Sequence, residues 1–272
     1  MYDNETSYCK LKRLIDLTGI GTAFIKKMDV GYSSKGEFHK TWEIILAIEG
    51  EVSVATDKDV FTLKKHCVAI HPPMEFHRHF NSSGQKNTFA VITFEASCFP
   101  VSETSVFNIT PYEVQEFISI IQEINTIFLF DGIHVVAPKK PESASVQEII
   151  SRSELLWNTV VSRKSIPRNN TSPDYSRIVE FLSSNTDLNL KLADIAESLN
   201  MSQSNVKRVF SMYSGIGIMT YFKQLKVQRA IELLKQGLSV QEVSEKLSYS
   251  SPSVFCNSFR RITGRAPSTF FV

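Results

Sequence analysis

The stretch LKLADIAESLNMSQSNVKRVFSMYSGIGIMTYFKQLKVQRAIELLKQGLSVQEVSEKLSYSSPSVFCNSFRRITGRAPSTF (Leu190–Phe270) decides how this chain is read. Its apolar residues recur at helical spacing in short bursts, each closed by a turn signal. In KLADIAESLN (191–200), Leu192, Ile195, Ala196 and Leu199 share one stripe. Ser202 then offers an N-cap to SQSNVKRVFSMY (202–213), whose inward residues are Val206, Val209 and Phe210. Past Gly215 and Gly217 comes a longer helix, IMTYFKQLKVQRAIELLKQ (218–236), with Tyr221, Leu225, Ala230 and Leu233 near one face and Gly237 as its stop. The pattern then repeats. Ser239 with Glu242 forms a capping box before Val240, Val243 and Leu247. Pro252 suits the first turn of PSVFCNSFRRIT (252–263), which carries Phe255, Phe259 and Ile262 inward and ends at Gly264. Two helix-turn-helix units joined by one long helix are predicted.

This doubled unit resembles the DNA-binding domain of the AraC/XylS family of bacterial transcription regulators. The resemblance is carried by Ile195, Ala196, Ser202, Phe210, Gly215, Tyr221, Ala230, Ser239, Val243, Phe255, Phe259, Gly264 and Pro267, and covers roughly the last 100 residues. Departures from the family pattern are Ser244 for a usual alanine, Ser248-Tyr249 for a Gly-Phe pair, Val254 for a frequent aromatic and Lys226 for a common arginine. The resemblance implies base-edge readers at Ser204, Lys207 and Arg208 in the first unit and at Ser253, Val254 and Asn257 in the second. Arg260 and Arg261, a turn further on, are expected on phosphates. Chemistry then assigns preferences: Lys207 and Arg208 for guanine acceptors, Asn257 for adenine, Val254 for a thymine methyl.

Charge supports the division. Ser172–Val272 holds 12 Lys/Arg against 8 Asp/Glu, a formal +4, and the remainder holds 18 against 20. The basic part is the one expected to meet phosphates. At 272 residues the chain has room for two cores. Cys9, Cys67, Cys98 and Cys256 are scattered without a CxxC pair, as in a reducing compartment. No apolar run approaches 18 residues and the N-terminus lacks an apolar signal core, so a cytoplasmic protein without a membrane partner is expected.

From Phe24 to about Glu95 the period becomes two. The runs AFIKKMDV, WEIILAIEG, EVSVATD, VFTLKK, CVAIHPP, FHRHFN and TFAVITFE predict a small barrel or sandwich. LKRLIDLTGIG (11–21) reads as a short helix or an initial strand. The turns resemble those of a cupin: Gly36-Glu37-Phe38-His39, Glu43 and Gly50, then Pro73, His77 and Asn81. In metal cupins an HxH pair, a glutamate and a later histidine converge, which corresponds here to Glu37, His39, Glu43 and His77. A mixed imidazole/carboxylate set can hold a divalent transition metal. The favoured expectation is nonetheless that no metal or other cofactor is held, and that His39, Trp42, Glu43 and His77 line a site for a small-molecule effector, with His71 and His79 flanking it.

Thr110 with Glu113 is a capping box opening a helix to about Phe130, and Ser145 with Glu148 opens another to about Val161. GIHVVAPKKPES (132–143) between them reads as a loop. The apolar faces Val114/Phe117/Ile121 and Leu155/Leu156/Val160 suggest a homodimer. The expected organisation is α+β in two domains: residues 1–164 a cupin-like β-barrel with two following helices, 165–173 a polar linker, and 174–272 an all-α tandem helix-turn-helix domain. The function implied is a sequence-specific transcription regulator that binds double-stranded DNA. An activator meeting RNA polymerase is the family's commoner behaviour. The alternative is a metal-dependent cupin enzyme with an accessory helical part. No serine motif, HExxH or P-loop is present, and no catalytic residue is assigned.

Overall fold

The computed structural model describes residues 12–140 and 144–270. Residues 1–11, which include Cys9 and the first residue of the ambiguous 11–21 segment, lie outside it; from Asp16 that segment is strand. The strands are β1 (Asp16–Met28), β2 (Trp42–Glu49), β3 (Val52–Thr56), β4 (Val60–Leu63), β5 (Cys67–His71), β6 (His77–Phe80), β7 (Asn87–Cys98) and β8 (Ser105–Asn108). After α1 (Pro111–Ile127) come β9 (Phe128–Asp131) and β10 (His134–Pro138), then α2 (Ala144–Val161). The alternating pattern anticipated seven of these strands. The barrel, however, does not close. The strands form a seven-stranded sheet, β8-β5-β2-β7-β1-β10-β9, and a separate three-stranded sheet, β4-β3-β6. The isolated bridges Ser33↔Phe80 and Glu37↔His77, with hydrogen bonds such as Ser34 N–H to His79 O (3.0 Å), tie the 31–37 segment to the smaller sheet.

The alternation along each strand sorts side chains into layers. Ile45, Ala47, Val52, Val54, Phe61 and Val91 fill the space between the sheets. Ile44, Leu46, Ile92 and Phe94 face the other way, onto α1 and α2. Thr110 caps α1 through the box with Glu113 as read from the sequence. Val114, Phe117, Ile121, Leu156 and Val160 are therefore buried within one chain, which removes the argument for pairing that their apolar faces had supplied. Leu155 stays exposed, as do Leu129, Ile133 and Val136 of the β9–β10 hairpin. That hairpin replaces most of the expected loop, because Gly132 supplies the left-handed turn (φ +59°) that returns the chain.

The C-terminal part holds α3 (Pro173–Ser184), α4 (Leu192–Ser198), α5 (Gln203–Ser214), α6 (Ile218–Lys235), α7 (Val240–Lys246), α8 (Pro252–Thr263) and a terminal 3-10 turn (Pro267–Phe270). The side chains of Ser202, Ser239 and Ser251 cap α5, α7 and α8, and Gly215 and Gly264 stop α5 and α8 in the left-handed region. Each α–turn–α needs one left-handed residue, and these are Asn200 (φ +53°) and Ser248 (φ +49°). Ser248 thus stands where only glycine is free of strain, which explains the glycine usual at this place in the related pattern. Ile262 departs from the expected inward stripe and is 39% exposed.

Residues 164–172 carry no helix or strand, yet they are held to the small sheet. Thr171 N–H donates to Val60 O (2.7 Å) and Arg168 pairs with Asp59 (2.9 Å). The helical part then packs on the outer face of that sheet. Ala55, Val60 and Phe76 join the core of the first helix-turn-helix unit, and Tyr175 Oη donates to Thr56 O (3.0 Å). Gly36 permits the closest approach: a Cβ there would lie 2.3 Å from Ser214 O at the end of α5.

Candidate DNA-reading face and the histidine–glutamate group

The buried stripes of α5 and α8 leave their opposite faces in water. Ser204, Lys207 and Arg208 on α5, and Ser253, Val254, Asn257, Arg260 and Arg261 on α8, are all exposed. Val254 is 47% exposed. Arg208 Nη2 is braced by Asn205 Oδ1 at 2.8 Å. Between the two units α6 runs 18 residues, about 27 Å at ~1.5 Å per residue. Ten of its residues are buried, because it is the shared wall of both cores. A cleft of about 490 Å³ between the units is lined by Val254, Asn257 and Arg261 on one side and by Thr220, Lys223 and Lys226 on the other. Lys226 is not free to reach out: its Nζ donates to Leu188 O (2.8 Å) and sits over the Phe222 and Tyr249 rings.

The second cluster lies at the other end of the interface between the two parts. Period two aims His77 and His79 of β6 inward and Arg78 outward, and it aims Glu43 of β2 inward and Trp42 outward. Trp42 accordingly stacks on Phe99 (4.8 Å) against α1 and α2 and does not join the group expected of it. His39, Glu43 and His77 do converge. His39 Nε2 lies 3.3 Å from Glu43 Oε2, His77 Nε2 lies 3.5 Å from Glu43 Oε1, and the two Nε2 atoms are 3.2 Å apart. Glu37 is joined to His77 through its backbone, and its carboxyl makes no ion pair with these histidines; burial, then Glu43, pushes that carboxyl up. His79, a flanking residue in the sequence reading, reaches Glu43 instead (3.6 Å). The alternation in His77-Arg78-His79 was the signal for this. His79 Nε2 meets His71 Nε2 at 3.3 Å, and His71 stacks on His77 with ring centroids 4.4 Å apart.

His77 Nδ1–H donates to Glu75 O (3.1 Å), and His39 Nδ1 lies 2.9 Å from both the backbone oxygen and Oγ1 of Thr41. A neutral His77 ring turns its Nε2 lone pair toward His39 and toward the Glu43 carboxylate. Acceptors converging in a buried place repel one another unless a cation lies among them. One such cation is a proton. Burial lowers the pKa of His77 most strongly, but the charge of Glu43 and its hydrogen bond outweigh burial and hold it above the ordinary value. Burial likewise raises Glu43, yet His77, His39 and His79 together keep it well below the carboxylate range. Burial dominates at His79, whose pKa falls to about 4. The other candidate cation is a metal ion. The 3.3 and 3.5 Å contacts fall on different oxygens of Glu43, and one donor atom from each of His39, Glu43 and His77 lies within 4.8 Å of the others, close enough to share one ion. The backbone acceptors on both Nδ1 atoms are the orienting partners that metal-binding histidines use. The residues therefore fit a divalent transition metal with two imidazoles and one carboxylate.

No helix among the described residues is long and apolar enough to cross a membrane. Residues 195–271 match the family described as "Helix-turn-helix domain". Among curated proteins, the chain is 28% identical over 96 residues to the Msm operon regulatory protein of Streptococcus mutans, covering 35% of this chain and 34% of that protein. It therefore spans about a third of the length of that relative. Among solved structures it is similar to ToxT of Vibrio cholerae bound to an unsaturated fatty acid, at 14% identity and a TM-score of 0.37 over 94% of this chain and 96% of that one. The C-terminal domain of AraT, a response regulator of Geobacillus stearothermophilus, is 24% identical over 38% of this chain and 86% of that one, with a TM-score of 0.36. Residues 195–271 are, by that match, a helix-turn-helix domain.

Proposed function

We propose that the chain is a sequence-specific DNA-binding transcription regulator, and that α5 and α8 of one molecule enter neighbouring major grooves. The observation that carries this reading is the pair of capped helices that bury Val206, Val209 and Phe210, and Phe255 and Phe259, while Lys207, Arg208, Asn257, Arg260 and Arg261 stand in solvent. The stiff α6, about 27 Å long, suits grooves that recur about 34 Å apart on one side of the duplex, with bending taking up the difference. Ser204, Lys207, Arg208, Ser253, Val254 and Asn257 read base edges, and Arg260 and Arg261 hold phosphates. The N-terminal part senses a small ligand at His39, Glu43 and His77 and passes the signal through its contact with α5 and α6. Activation through RNA polymerase belongs to the same reading. Self-association has the exposed Leu155 of α2 and Leu129, Ile133 and Val136 of the hairpin to support it, not the buried Val114, Phe117, Ile121, Leu156 and Val160.

The enzyme alternative leaves two capped helices with exposed Lys207, Arg208, Arg260 and Arg261 without a role. The test is selection of bound duplexes from a random library with the full chain, followed by hydroxyl-radical footprinting on the selected site. Protection of two adjacent major grooves on one face is expected. Recovery of no enriched sequence, or protection of a single groove, would overturn the reading.

A further inference from the structure

The histidine–glutamate group is roofed by the DNA-binding part. His71 and His77 are fully buried and Glu43 and His79 are each 5% exposed, so His39 is the one partly open member. Its open side faces the cavity of about 140 Å³, whose far wall is Gln224 and Gln228 of α6 with Ile262 of α8. A two-bond latch holds the roof. Met74 N–H donates to the backbone oxygen of His39 (2.7 Å), and Met74 O accepts from Gln228 Nε2. Met74 takes a left-handed backbone (φ +66°) to make both bonds, and its side chain packs against the second helix-turn-helix core. Gln224, lining the same cavity, has its Oε1 buried without a partner. A second tie leaves the other ligand-bearing strand: Arg78, between His77 and His79, donates from Nη1 to Met212 O near the end of α5 (2.7 Å).

We propose that α6 is the lid of the His39–Glu43–His77 site, and that a divalent transition-metal ion enters or leaves it only when the DNA-binding part swings off the small sheet. The space under the lid suits an ion with its waters, not an organic molecule of drug size. Ion exchange is then slow in the docked chain, and docking of α6 and occupancy of the site exchange free energy reciprocally. What the open lid does to DNA rests on the regulator reading above; the lid itself does not.

The experiment uses the full-length chain and Co²⁺, whose visible absorption reports its donors. One Co²⁺ per chain is expected for the unaltered protein, and none for His39→Ala. Gln228→Ala touches no donor, so it should show the same Co²⁺ spectrum but release the ion to excess chelator at least fivefold faster. Release at the unaltered rate would overturn the lid, and absence of Co²⁺ uptake by the unaltered chain would overturn the site. Duplex binding by fluorescence anisotropy on the same preparations reports the regulator reading separately, so either can fail without the other.

Discussion

Replacing Arg78 by methionine tests whether the two parts are held together by polar ties and not by apolar contact alone. The guanidinium donates to Ser34 O (2.9 Å), to Ser33 Oγ and, across the interface, to Met212 O (2.7 Å). Arg78 is 9% exposed, and its guanidinium also lies over the Phe80 ring (5.3 Å), a contact within the N-terminal part that methionine loses. A hydrogen bond from a charged donor contributes about 1.5–3 kcal/mol. Met212 O lies in the last turn of α5, where the helix dipole adds about 0.3–1 kcal/mol for a cation. Ser33 and Ser34 can return to water, so the loss assigned to docking is roughly 2–4 kcal/mol. Both tryptophans, Trp42 and Trp157, lie in the N-terminal part, whereas α3–α8 supply most of the helical circular dichroism. Taking a guanidinium slope of about 4 kcal/mol per molar, the dichroism midpoint should fall by about 0.5–1 M while the tryptophan midpoint holds. An unmoved dichroism midpoint would refute the assignment of docking energy to this arginine.

Asn257→Ala should cost about 1–3 kcal/mol at one base position of a selected site, whereas Arg261→Ala should weaken all duplexes alike and lower the salt slope by about one; anisotropy titrations across salt and single-base variants distinguish them. Burial, with Glu75 adding, pushes the Asp57 carboxyl up to about 7 against the pull of Lys58 and Arg168, and its Oδ1 has no partner. An acid raised in the folded state stays protonated there while the unfolded chain has ionised, so stability falls as pH rises from about 4 to 7. Asp57→Asn should remove that slope and stabilise the protein by about 1–2 kcal/mol at pH 8, with little change at pH 4; denaturation at both pH values checks the sign. Ser248→Gly should relieve the left-handed strain and raise stability by about 0.5–1 kcal/mol, read as a higher melting temperature, and a loss of stability would mean that Ser248 is held there by contacts worth more than the strain.

The sequence by itself determined the elements whose signals are local. A serine three residues before a free N–H, a glycine one residue past a stripe and a proline in a first turn act over one helical turn, so α5, α6, α7 and α8 and their caps were legible in order. So was the exposure of Ser204, Lys207 and Arg208 on α5 and of Ser253, Val254 and Asn257 on α8, since a residue opposite a buried stripe faces water. The seven strands of period two were equally plain. Tertiary structure decided the rest. Whether strands close into a barrel depends on which edges pair, and a run such as Val60–Leu63 carries no mark of its partner. Trp42 and Glu43 are neighbours in sequence, but the pleat sends them to opposite faces, and the group that forms takes in His79, which the motif reading had placed only at its margin, beside His77 of the same strand. The apolar faces of α1 and α2 gave no sign of whether they cover a sheet or a second chain, because burial against either satisfies the same residues. The latch from His39 through Met74 to Gln228 spans 189 positions and uses a backbone carbonyl, which every residue possesses; it exists only because the second helix-turn-helix unit packs over the end of the small sheet.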